Sequence, residues 1–385
     1  MPEDTSPLSR RDILAGLAAT SLVSLAGGGA RAEAATDTQG ATLELVARFT
    51  SPRQVTGVAV SKTGRIFVNF PRWEEDVAIS VAEVGPNGAL TPYPDTEWNR
   101  FRNADPAGTA KAPTSFVCVQ SVTVDAQNRL WVLDPAAPGL TFIVPGGPKL
   151  VCIDLATNKV VRTYHFDTSV APQGSYLNDI RFTADGKRAV LTNSGNPGSL
   201  VVFDVETGHA RQVLVGHPST QFDPNVTITV SGKPLVMLDA QPARFSADGL
   251  LIDGQDRFAY WQATTGDTMY RIPLAALFDH AVSPERLAAK VERLGKTFVA
   301  DGYWFSHKSG MLLTSAETFS VKRLDPNGNF TVLVQDPRLF WPDSMAEGPD
   351  GAIYVTASHI PEMKTWQGPG IKETQLFRFH PNAAK

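Results

Sequence analysis

Cysteine is nearly absent from this chain, with only Cys118 and Cys152 among 385 residues. That scarcity excludes a disulfide framework, and seven scattered histidines make a structural zinc site a poor fit. The two cysteines read either as one bond, which an oxidising compartment permits, or as buried thiols packing as small apolar residues. Charge is also thin. Charged residues make up 19% against 42% apolar, and 35 Lys+Arg face 39 Asp+Glu for a net charge of −4. A basic nucleic-acid surface and a disordered, self-repelling chain are both excluded, so no nucleic-acid partner is expected. Beyond the first 35 residues no run approaches the ~18 apolar residues of a spanning helix, so no stable membrane span is expected. The chain has no G-x-S-x-G, P-loop or H-E-x-x-H, which leaves serine-hydrolase, nucleotide-phosphate and zinc-protease chemistry without a motif. What it has in quantity is turn punctuation, 31 glycines and 28 prolines.

Residues 1–34 read as an address. Ser9-Arg10-Arg11-Asp12-Ile13-Leu14 precedes an apolar, small-residue stretch from Ala15 to Ala30. Ala30-Arg31-Ala32 and Ala32-Glu33-Ala34 then offer small-x-small cleavage sites. Paired arginines before a mildly apolar region form a twin-arginine export signal; the other reading is an N-terminal membrane anchor. Under the export reading the partner is the twin-arginine machinery, and the mature protein is periplasmic or secreted.

Residues 41–381 repeat one pattern six times: a polar residue, a small or acidic one, alternating apolar residues, a tight turn, then an apolar run. The copies begin at Thr56-Gly57, Gln120-Ser121, Asn178-Asp179, Asp248-Gly249, Asp301-Gly302 and Asp343-Ser344, about 57 residues apart on average. Each is two short strands around a Gly, Asp or Asn turn, such as Pro349-Asp350-Gly351. Between copies runs a second pair, for example Leu200-Val201-Val202-Phe203-Asp204 followed by Glu206-Thr207-Gly208. Four strands in each of six repeats make an all-β fold, a single six-bladed β-propeller. After the sixth inner pair only Gln375–Phe379 remains as a strand, so Thr42–Phe49 is expected to complete the last blade and close the ring without a free edge. Pro273 to Lys296 reads as a helical excursion on the rim.

Several stretches, in order, resemble the major royal jelly protein/yellow family. They are Phe67-Val68-Asn69-Phe70-Pro71-Arg72-Trp73, Arg129-Leu130-Trp131-Val132-Leu133-Asp134, Ser175-Tyr176-Leu177-Asn178-Asp179 and Gly216-His217-Pro218-Ser219. The resemblance runs from about Leu45 to Phe379 and implies a six-bladed propeller. The architecture is also similar to the gluconolactonase/senescence-marker-protein group, which implies a catalytic divalent cation on the axis.

In a propeller the residue before each innermost strand faces the central channel. Here those residues are Thr56, Gln120, Asn178, Asp248, Asp301 and Asp343. Carboxylates converging on one axis need a cation or a proton, and oxygen-only ligands suit Ca²⁺, Mg²⁺ or Mn²⁺. The metal candidates are therefore Asn178, Asp248, Asp301 and Asp343. Thr56 stands where the resemblance implies a Glu, whereas Asn178, Asp248 and Asp301 match its pattern. The bland alternative is that each Asp caps its own turn. Loops after the second strands return to the same face and offer Arg72, Trp73, Asp134, Asn193, Glu317 and His359. Asp248, Asp301, His359 (as general acid/base) and Arg72 (as oxyanion donor) are the catalytic candidates. Gln120, Asp134, Asn193, Glu317 and Trp73 are the substrate-binding ones. Two functions follow: a metal-dependent enzyme on a small polar substrate (lactone hydrolysis first, tautomerisation second), or a non-catalytic binder of a small amine or phenol. A protein-interaction platform on the blade faces is a third.

Overall fold

The computed structural model describes residues 39–381 apart from 75, 105–110 and 141, and the expected export signal lies outside the described residues. Six antiparallel sheets carry the chain, with one small extra hairpin at Thr229–Val230 and Lys233–Pro234. The innermost strands are Gly57–Val60, Ser121–Val124, Leu177–Phe182, Ala247–Ile252, Tyr303–Ser306 and Pro342–Glu347. They open blades 1 to 6, the order and phase expected from the repeats. Blade 6 is completed by the N-terminal strand Glu44–Thr50, paired antiparallel with Glu373–Phe379. The predicted ring closure is the observed one.

Two details differ from the sequence reading. Gln39–Gly40 pairs with Val334–Gln335 and adds a fifth strand to blade 5, so the N-terminal segment ties blades 5 and 6 together. The stretch from Pro273 is helical only at Leu274–Leu277 and Pro284–Ala288; Glu292–Lys296 is the outer strand of blade 4. Its residues are mostly exposed, so the alternation that marks a half-buried strand is missing there.

Small residues recur behind the channel-facing positions because neighbouring blades crowd them. A Cβ on Gly302 would lie 1.8 Å from the Asp343 carbonyl oxygen, and one on Gly249 would lie 2.6 Å from that of Asp301. A hydroxyl latch runs between several adjacent blades. Thr356 Oγ1 donates to the Thr56 carbonyl (3.0 Å), Thr56 Oγ1 to Gln120 (3.1 Å), Ser121 Oγ to Asn178 (2.7 Å) and Thr192 Oγ1 to Asp248 (2.8 Å). Each acceptor is the backbone of a channel-facing residue, so the preceding blade fixes where the next one places its side chain. Cys118 and Cys152 are free and buried, and burial pushes both thiols up to about 12.

Candidate functional site

At the mouth where the innermost strands begin lies a cavity of about 280 Å³. Its polar lining includes Gln120, Asn178, Ser194, Asp248, Thr264, Asp301 and Asp343, and its apolar wall includes Trp73, Tyr176, Phe245, Trp341, Met363 and Trp366. Six expected residues therefore share one pocket: Gln120, Asn178, Asp248, Asp301, Asp343 and Trp73. Thr56 is fully buried and accepts from Asn69 Nδ2 at 2.8 Å.

The three carboxyl groups differ in their partners. Asp343 accepts from Ser358 Oγ at 2.8 Å and Ser344 Oγ at 3.3 Å. Asp301 accepts from Trp341 Nε1 at 2.5 Å and Thr264 Oγ1 at 3.5 Å. Burial pushes Asp301 up to about 7, against the opposing pull of the Trp341 indole. Burial and the charge of Asp301 raise Asp248 and Asp343 well above the usual carboxylate range. Asp179 sits one position deeper and is raised by burial, against the pull of its ion pair with Arg181 at 3.1 Å. Trp341 adopts φ 59°, a left-handed conformation unusual for a bulky residue, and its indole reaches Asp301 from that backbone.

Opposite the acids runs a directional chain of hydrogen bonds across blades 1 to 3. Trp73 Nε1 donates to Tyr176 Oη (2.6 Å), which donates to Gln120 Oε1 (2.8 Å). Gln120 Nε2 donates to Asn178 Oδ1 (3.0 Å), and Asn178 Nδ2 to Ser194 Oγ (3.0 Å). Sequence reasoning passed over Tyr176, although it lies two residues before Asn178.

The expected divalent cation would need several of these oxygens turned on one point. Among the described residues no three His, Cys, Asp or Glu side chains come together as a metal-binding group. Asn178 Oδ1 is engaged by Gln120, and Asp301 and Asp343 have hydroxyl or indole donors of their own. The donor chemistry suits a hard cation, and each of these oxygens already accepts a hydrogen bond from a neighbouring side chain.

The other candidates lie outside the cavity lining. Arg72 is fully buried; its guanidinium donates to Ser80 Oγ (2.6 Å) and the Phe116 and Val117 carbonyls, and burial lowers its pKa. Asp134 accepts from the Val117, Cys118 and Ala136 amides and forms a fully buried pair with Lys149 at 2.8 Å. Asn193 Oδ1 accepts from the Tyr176 amide at 2.7 Å. Glu317 accepts from the Thr229 amide at 2.9 Å, holding the extra hairpin. His359 has both ring nitrogens engaged, by Glu362 at 3.0 Å and Gln375 at 2.8 Å. None of the five lines the cavity. Polar residues at strand ends look alike in sequence whether they face a pocket or brace it.

The sequence pattern of the major royal jelly proteins matches residues 117–366. Protein yellow of Drosophila pseudoobscura pseudoobscura is 28% identical over 138 residues, 34% of this chain and 23% of that protein. The match thus spans about a quarter of that relative's length. A luciferin-regenerating enzyme superposes with a TM-score of 0.53 at 11% identity, over 89% of this chain and 95% of that one. A gluconolactonase from Xanthomonas campestris gives 0.52 at 9% identity, over 90% and 96%. At such identities the likeness is one of fold.

Proposed function

The chain belongs to the major royal jelly protein family, and from that premise we propose that its axial pocket binds a small organic cation with an aromatic ring, an arylalkylamine in chemical class. One observation carries this reading: three buried carboxyl groups, held back from ionising, lie under a wall of aromatic side chains. An ammonium group between the carboxylates would offset their mutual repulsion. Trp73, Trp341 and Trp366 supply faces for the ring and for cation–π attraction, which strengthens in a desolvated site. The hydrogen-bond chain through Tyr176, Gln120 and Asn178 would hold the opposite wall in one geometry. The test is calorimetric titration with a phenethylamine and its neutral alcohol isostere. The amine should bind and the alcohol bind at least tenfold more weakly, and Asp248→Asn or Asp343→Asn should reduce amine affinity. Equal binding of the two compounds, or no response to either substitution, overturns the reading.

A second reading rests on Asp301. A carboxyl titrating at about 7 is matched to proton transfer at neutral pH, which supports tautomerisation of a bound phenolic compound. Lactone hydrolysis with a divalent cation is the third reading, supported by fold alone. A lactone and tautomer panel run with Ca²⁺, Mg²⁺ or Mn²⁺ and then with chelator separates the three. We also propose export through the paired arginines. Arg10→Lys with Arg11→Lys should leave the precursor in the cytoplasm, and normal processed protein outside it would overturn this.

A further inference from the structure

The cavity has a polarity gradient that the axial acids do not explain. Its polar lining residues Gln120, Asn178, Asp248 and Asp343 are buried, whereas Phe142 from blade 2 and Met237 from the connection before blade 4 line it while exposed to solvent, which puts them at its opening. Among the described residues seven large apolar side chains are exposed, and Phe142 (51%), Met237 (41%) and its chain neighbour Leu238 (76%) are three of them. Apolar groups left in water at one opening mark a surface that gains by being covered.

The segment bearing Met237 and Leu238 is a built element. Val236 bridges Pro242, the Met237 amide donates to the Gln241 carbonyl (2.8 Å), and the Ala240 amide donates back to Met237 (2.9 Å). Gln367 Nε2 then donates to the Met237 carbonyl at 2.6 Å, tying this tip to the loop that carries Trp366. Met237 is thus held at the cavity's edge with its exposed neighbour Leu238 beside it, while backbone bonds within the turn and from Gln367 fix the segment.

We infer that the ligand is an amphiphilic ammonium: a cationic head at Asp248, Asp301 and Asp343, a ring in the aromatic belt, and an apolar tail emerging between Phe142 and Met237 onto Leu238. The inference rests on the cation reading above and narrows its ligand class. The occupant of the rim is the ligand's own tail. Charge complementarity at the floor sets the ligand's direction, so its uncharged end faces outward.

The test is a series of phenethylamines carrying para-alkyl chains from methyl to hexyl, titrated against the full mature chain. Affinity should rise about two- to fourfold per methylene, as expected when each leaves water. Phe142→Ser should flatten the series, and Leu238→Ser should remove the increments of the longest chains while leaving phenethylamine itself unchanged. Asp248→Asn should weaken every member by a similar factor. A flat series in the parent, with the Asp248 dependence retained, overturns the amphiphile inference and leaves the cation reading standing. A rising series that ignores Asp248→Asn overturns both. Sedimentation showing a dimer abolished by Leu238→Ser, together with a flat series, assigns the rim to a second copy of the chain and also overturns the inference.

Discussion

Asp301 divides its oxygens between Thr264 and the Trp341 indole, yet burial still holds its proton to about pH 7 against an ordinary value of 3.8. The sign of the resulting pH dependence is set. Below the ordinary value both folded and unfolded chains carry the proton; between there and about 7 only the folded chain keeps it, so stability falls as pH rises. Asp248 and Asp343 are raised too, by burial and by the charge of Asp301, and so add to the decline. Asp301→Asn should flatten part of this slope in melting scans from pH 4 to 8 and melt higher than the parent at pH 8. A uniform loss at every pH would show that its charge does not strain the site. Amine affinity should in turn increase as pH rises through about 7, because the carboxylate becomes available. Trp341→Phe removes the donor that pulls Asp301 down, so the midpoint of that binding curve should move to higher pH. The acids were legible in the sequence because each holds the same phase at the start of an innermost strand. Trp341, Trp366 and Phe245 were not, because they come from connections of irregular length where no period marks an inward side chain.

The strand Glu44–Thr50 shows what one element contributes. It buries Leu43 beside it, Ala47 and Phe49, and Phe49 packs edge-on to Phe70 of blade 1 at 5.1 Å. Phe49→Ala should cost about 3–5 kcal/mol in denaturant unfolding, the usual range for emptying a packed aromatic site. Loss of only a few tenths would mean that the seam between blades 6 and 1 is not closed by packing. Thr356→Val removes the hydroxyl latch across the same seam and should cost about 1 kcal/mol. The strand itself was predictable, since the last repeat lacked a fourth strand and the segment Thr42–Phe49 remained to supply it. Glu292–Lys296 was read as helix because Leu287, Val291 and Leu294 fall at helical spacing, although Leu294 is 42% exposed. The two-residue strand Gln39–Gly40 is too short for any pattern. It depends on Gly40 at φ 86°, where a Cβ would lie 2.2 Å from the Leu333 carbonyl oxygen.

Across the whole molecule, six blades share one axis and no blade forms that axis alone. Repeat counting therefore gave the architecture, whereas no single repeat contains the pocket. Transplanting residues 39–50 to follow residue 381 through a short linker should leave the melting temperature within a few degrees and shorten the refolding time. An unchanged refolding rate would show that closure is not the slow step. In the natural order Arg48 and Glu373 form an ion pair across 325 residues of chain. Contacts so distant in sequence form late, because loop closure must precede them. At about 5–20 residues per second of synthesis, the first strand waits on the order of tens of seconds for its partner to be made. Throughout that interval Phe49 can reach blade 1, but the hydrogen-bonding edge of its strand has no partner. Truncated or stalled products of this chain should therefore be sticky in a way the finished ring is not.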